Sequence, residues 1–159
     1  MSAIIEELAG RMEKEGEKAV AFFRDLPKDT WGKQVYTEGA SWTVLELFTH
    51  VVEAEDSVAR LITNIVNGSP GVPEDFDLDR YNEYKVSKAG QVDAEGLLNT
   101  FIARRARTVE LIKSLSEDDL NTRGNHPFLG NSEIIEMLKL MYLHVQLHIR
   151  DVKKVIRQG

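Results

Sequence analysis

The chain has 159 residues, of which 42% are hydrophobic and 29% charged, so we expect a single folded domain over residues 1–159. Its 20 Lys and Arg against 26 Asp and Glu give a formal net charge of −6, which predicts no nucleic-acid partner because phosphate binding needs an excess of positive charge. It contains no Cys, which excludes disulfides and Cys-ligated metals and leaves Asp, Glu and the four His as candidate metal ligands.

The first predicted element is a helix over residues 2–26, where apolar residues recur at the spacing of one helical face. Charges from Glu6 onward leave no basic segment followed by an apolar run, so we expect no signal peptide. The longest apolar runs also fall short of the ~20 residues that a membrane-spanning helix needs. These features predict a cytoplasmic protein with no membrane association.

Three further long helices are predicted. The second spans residues 41–67, with Thr43 and Glu46 at the spacing of a capping box and Gly68 at its end. The third spans residues 93–114, and the fourth begins after residues 130–132, which have N-cap chemistry, and reaches residue 156. No alternating pattern typical of strands competes with them. Four amphipathic helices bury their apolar faces most simply together, which predicts an all-α four-helix bundle.

The connection between the second and third helices is the longest. It has about twenty-five residues, enough to run back along a helix of about 35 Å. We therefore expect a long crossover between these two helices. Residues 77–84 within it predict a further short helix that could act as a lid, with Tyr81 and Asn82 either at a pocket mouth or capping a turn.

The histidines carry the candidate chemistry. His144 and His148 lie one turn apart within the apolar arc of the fourth helix, so both imidazoles can reach one ion. His50 lies at the flank of the second helix and could meet this pair, giving three nitrogen ligands and an open fourth position, as in catalytic zinc sites. Alternatively, each is a core histidine hydrogen-bonded to protein atoms. His126 lies in a proline loop and is expected to face solvent.

Two segments resemble a known family. SWTVLELFTH at residues 41–50 resembles the opening of the second helix in the DinB/YfiT-like superfamily, and HVQLH at residues 144–148 resembles the H-x-x-x-H of its fourth helix. The resemblance implies an up-down-down-up bundle, a homodimer, and a divalent metal, Zn²⁺ or Ni²⁺, held by His50, His144 and His148. Characterised relatives include thiol-dependent transferases and a thiol-dependent maleylpyruvate isomerase. The resemblance thus implies a metal-dependent transferase or hydrolase that uses a small-molecule thiol or water on a small-molecule substrate.

Several assignments keep two interpretations. Glu55 is either a general base near the metal or an ion-pair partner of Arg104 or Arg105, since a buried carboxylate needs a partner. Asp151 either accepts a hydrogen bond from a ligand imidazole or pairs at the surface with Arg150. The chain itself is either a metal-dependent enzyme or a non-catalytic, dimeric helical bundle for ligand binding or stress response.

Overall fold

Helices dominate the structure, a computed structural model that describes residues 2–37, 40–90 and 92–158. They are α1 (Ala3–Arg24), α2 (Val44–Val66), α3 (Leu78–Ala89), α4 (Ala94–Ser114), α5 (Glu117–Leu120) and α6 (Ile134–Gln158), with a 3-10 helix at Lys28–Gly32. The long helices α1 and α2 each pack against α4 and α6. The segment between α2 and α4 carries α3 and crosses over, so the predicted up-down-down-up four-helix bundle is confirmed.

The helix ends follow local side-chain chemistry. At the start of α2, the hydroxyl of Thr43 accepts from the N–H of Glu46 (3.1 Å) and the Glu46 carboxylate accepts from the N–H of Thr43 (3.0 Å), so the predicted capping box is confirmed. Asp77 and Asp93 cap α3 and α4 in a similar way. Beyond the last residue of α2 the chain turns at Gly68, whose φ of +104° suits a residue without a Cβ.

Two short antiparallel hairpins were not expected from the sequence. β1 (Gln34–Thr37) pairs with β2 (Ala40–Thr43), and β3 (Arg123–His126) pairs with β4 (Gly130–Glu133). Residues 41–43 and 130–132, predicted to belong to or cap helices, therefore lie in strands. Strands of four residues are too short for alternation to show in the sequence, and their pairing satisfies backbone groups at the ends of the bundle.

Both hairpins pack onto the helices that carry the histidines. β1 contacts α6 and α2, and β3 contacts the same two helices. In the first hairpin Val35 and Trp42 are buried against α2 and α6. In the second, Gly124 allows close approach of the bundle, because a Cβ there would lie 2.5 Å from Cδ1 of Ile65.

The short helix predicted in the crossover is confirmed and extends further than expected, as α3. It lies along α2, where the hydroxyls of Tyr81 and Ser57 are 3.0 Å apart and Nζ of Lys85 lies 3.4 Å from the Glu53 carboxylate. Among the described residues, no helix combines the length and apolarity needed to cross a bilayer.

Candidate metal centre

Three histidines converge between α2 and α6. His50 and His148 are 4% and 1% exposed, and His144 is half-buried. Their ring centroids are 6.1 Å apart for His50 and His144, 5.2 Å for His50 and His148, and 4.3 Å for His144 and His148. One nitrogen from each ring lies within 4.8 Å of a nitrogen from each of the others. The helical spacing on α6 and the packing of α2 against α6 thus bring together the three residues singled out from the sequence.

The donor set fits a divalent cation. Nitrogens bound to one zinc ion at ~2.1 Å lie about 3.4 Å apart in a tetrahedral site, so small side-chain rotations would close this cluster onto an ion. The Nε2 atoms of His50 and His148 are buried and make no hydrogen bond within the described chain, although both residues make other contacts. The ring of Trp42 lies 5.0 Å from that of His50 and limits the space on the hairpin side.

A cavity of ≈ 230 Å³ lies beside the three histidines, which form part of its wall. Its lining is mainly apolar and comes from α2, α6, the crossover and the turn between β3 and β4: Val58, Leu61, Val72, Phe76, Phe128, Met137, Leu140 and Met141. Tyr81 and Asn82 also line it, in agreement with the pocket interpretation. An ion held by the histidines would therefore face a space that admits a small, largely apolar molecule.

Glu55 makes a buried ion pair. Its carboxylate accepts from Nε and Nη2 of Arg105, both at 2.8 Å, and from the hydroxyl of Thr108 at 2.7 Å. Nη1 of Arg105 donates to the carbonyl of Met12 at 3.0 Å, so the network joins α1, α2 and α4. The ion-pair interpretation of Glu55 is confirmed with Arg105 as the partner. Asp151 is half-buried one turn beyond the histidine pair, and its role stays a prediction.

The expectation that His126 faces solvent is wrong. It is 5% exposed, because the β3–β4 hairpin folds its turn onto the bundle, and it lines the cavity. Its Nδ1 accepts hydrogen bonds from the N–H groups of Phe128 (3.0 Å) and Leu129 (3.1 Å). Burial, and to a smaller extent the charge interaction with His144, lower the pKa of His126 from 6.5 to about 4. The sequence signal that could have placed it is Gly130, whose φ of +74° closes the hairpin turn.

Solved structures with the same fold include two with described chemistry. YfiT from Bacillus subtilis, described as a probable metal-dependent hydrolase with an unusual four-helix bundle topology, is 18% identical, and the match covers 99% of this chain and 89% of that one, with a TM-score of 0.78. A mycothiol-dependent maleylpyruvate isomerase is 17% identical, and the match covers 93% of this chain and 60% of the isomerase, with a TM-score of 0.76. At these identities the likeness shows the fold alone.

A third structure corrects the expectation of no nucleic-acid partner. The colibactin self-resistance protein ClbS, crystallised in complex with double-stranded DNA, is 14% identical, and the match covers 96% of this chain and 95% of that one, with a TM-score of 0.75. The exclusion drawn from the net charge of −6 is therefore wrong. Net charge sums over the whole chain, whereas contact with DNA depends on the local distribution of charge.

The family of the chain follows from its sequence. None of the curated proteins matches the chain significantly. The sequence model of the DinB superfamily matches residues 11–152, which include all three clustered histidines and both hairpins. With the bundle topology and the histidine cluster in agreement, this protein belongs to the DinB superfamily.

Proposed function

We propose that this chain is a metal-dependent transferase or hydrolase whose His50, His144 and His148 hold a divalent cation. The observation that carries the proposal is the convergence of three ring nitrogens within 4.8 Å at the wall of a cavity. The descriptions of YfiT as a probable metal-dependent hydrolase and of the isomerase as mycothiol-dependent support it.

Zn²⁺ and Ni²⁺ both suit this donor set, because neutral imidazole nitrogens bind either ion well. A divalent cation held by these three histidines would lower the pKa of a thiol or water bound to it and so supply a nucleophile. The chain contains no Cys, so a thiol nucleophile would arrive as a small-molecule cosubstrate. The apolar side chains of the cavity wall position the substrate body and exclude bulk water.

Glu55 takes no proton in this proposal. Two hydrogen bonds from Arg105 and one from Thr108 hold its carboxylate. These three donors engage the carboxylate within the protein, and the buried guanidinium of Arg105 needs it as a partner. Its contribution is to fix α2, the helix that carries His50, against α4.

Metal analysis of the purified protein tests the donor set. We expect about one divalent cation per chain in the wild type and a large loss in His144→Ala and in His148→Ala, because two imidazoles hold an ion far less tightly than three. His126→Asn is the matched control, since His126 lines the same cavity but lies outside the cluster, and it should retain the metal. A metal content equal to that of the wild type in both alanine variants would refute the proposed site.

Activity assays then distinguish a transferase from a hydrolase. The metal-loaded protein should be assayed with carbonyl electrophiles and with esters, in the presence and absence of low-molecular-weight thiols, mycothiol among them. Incorporation of the thiol into the product identifies a transferase, and turnover in water alone identifies a hydrolase. Metal binding without turnover in either assay would favour the non-catalytic, ligand-binding bundle.

A further inference from the structure

The tautomer of His126 is set by the backbone of its own hairpin turn. A neutral imidazole carries its proton on one nitrogen and a lone pair on the other. Since Nδ1 accepts hydrogen bonds from the N–H groups of Phe128 and Leu129, it carries the lone pair. The proton therefore lies on Nε2, which points away from the two amides of the turn.

Nε2 belongs to a residue that lines the cavity beside the histidine cluster. His126 is 5% exposed, and it lines the same cavity as His144. The surrounding wall is mainly apolar in area, and a hydrogen-bond donor on it can orient a bound molecule. Because Nδ1 accepts from two backbone N–H groups, the ring is neutral and its Nε2–H is the donor.

The strand that carries His126 is hydrogen-bonded to the crossover segment between α2 and α3. The N–H of Val72 donates to the carbonyl of Asn125 (2.9 Å), and Nδ2 of Asn125 donates to the carbonyl of Val72 (2.7 Å). The N–H of Asn125 donates to the carbonyl of Pro70 (2.8 Å). These hydrogen bonds fix β3 against the crossover segment, so the Nε2–H of His126, the residue after Asn125, is positioned before a ligand binds.

We propose that His126 is a substrate-binding residue whose Nε2–H donates a hydrogen bond to a carbonyl oxygen of a small molecule held in the cavity. The proposal rests on the proposed function and names its substrate class, a small and largely apolar carbonyl compound. The cavity volume of ≈ 230 Å³ suits a molecule of about ten heavy atoms, since an apolar cavity of about 150 Å³ holds benzene. The hydrogen bond strengthens as negative charge develops on that oxygen during attack at the carbonyl compound.

Two measurements on the full-length chain as purified test this assignment. Nitrogen-15 NMR of the histidine side chains should show the proton of His126 on Nε2 at pH 7, and a proton on Nδ1 would overturn the proposal. Ligand titrations should use acetophenone, which has a carbonyl oxygen, and ethylbenzene, which has a similar shape without one.

The variant His126→Asn distinguishes the roles of the two ring nitrogens. The Asn Oδ1 can accept from the turn amides in place of Nδ1, whereas its Nδ2 takes the place of the ring's Cδ2, so no donor remains at the position of Nε2. We expect acetophenone to bind His126→Asn about three- to tenfold more weakly than the wild type, the value of one hydrogen bond, while the affinity for ethylbenzene changes less than about twofold. Equal losses for both probes, or no loss for either, would overturn the proposal. A failed metal centre is recognised separately, by the metal content of the alanine variants of His144 and His148.

Discussion

Replacing Arg105 by methionine tests how far one buried ion pair holds the bundle together. Arg105 and Glu55 are 5% and 3% exposed, so neither charge can be solvated by water when the other is removed. Arg105→Met keeps an unbranched chain of similar length but deletes two hydrogen bonds of 2.8 Å to Glu55 and one of 3.0 Å to the Met12 carbonyl. Only the hydroxyl of Thr108 would remain among the donors that now hold the carboxylate.

The expected loss is large because a charge stays buried without its partner. Removing one member of a buried pair costs about 3–5 kcal/mol of unfolding free energy. For a chain of this length, 1 kcal/mol shifts Tm by about 3 °C, so Tm should fall by about 10–15 °C. Replacing both partners, in Glu55→Leu with Arg105→Met, should recover much of the loss, since no buried charge then remains.

Urea unfolding and thermal denaturation, followed by helical circular dichroism, measure both effects. Arg107→Met is the control, because Arg107 lies on the same helix and is exposed, and its change should stay within about 0.5 kcal/mol. A loss below about 1 kcal/mol for Arg105→Met, or a double variant as unstable as the two single losses added together, would refute the reasoning.

Three further outcomes are expected. Gly16→Ala should lower the free energy of unfolding, measured in urea, by about 1–3 kcal/mol, because the new Cβ would lie 2.8 Å from Cγ of Arg105. In Gly10→Ala the new Cβ meets nothing within 4 Å, so this variant should be more stable by about 0.5–1 kcal/mol, and equal effects of the two substitutions would contradict the reasoning. The pKa of His126 is about 4 in the folded state and 6.5 ordinarily, so between pH 4 and pH 6.5 the unfolded chain binds more protons; stability is retained above pH 6.5 and falls as the pH decreases towards 4. The urea midpoint of His126→Asn should therefore fall less steeply with decreasing pH than that of the wild type, and equal slopes for the two proteins would contradict this prediction. A chelator should lower the Tm of the metal-loaded wild type by about 12 °C, since a ligand at 1,000 times its Kd stabilises by about 4 kcal/mol. The same chelator should leave the Tm of His148→Ala unchanged, and equal shifts would show that the metal lies elsewhere.

The long helices could be predicted because their signals are local. Apolar spacing marks one face of each helix, and the capping box of Thr43 and Glu46 marks the start of α2 within a few residues of its observed position. Asp93 caps α4 at the predicted boundary. Each signal involves residues within one or two turns, so no knowledge of the tertiary structure is needed to interpret it.

The hairpins could not be predicted because their stability comes from the bundle. Isolated two-stranded hairpins are marginal in water, and these strands have four residues each. β3 is stable here because Gly124 allows contact with Ile65 and Asn125 bonds to the crossover. The burial of His126 follows from that docking, which explains why a residue in a polar, proline-containing segment was expected to face solvent.

The candidate site also has one part that could be predicted from local sequence and another that depends on tertiary packing. The spacing of His144 and His148 on one helix is local, so the pair was visible in the sequence, whereas the approach of His50 depends on packing between α2 and α6. The cavity depends on still more distant segments, since the crossover and the second hairpin supply much of its wall. In the proposed function, the two bundle helices would therefore supply the metal ligands, and the crossover and the second hairpin would contact the bound molecule. This separation explains how one bundle topology can occur in proteins described in such different terms as a metal-dependent hydrolase, a thiol-dependent isomerase and a protein crystallised with DNA.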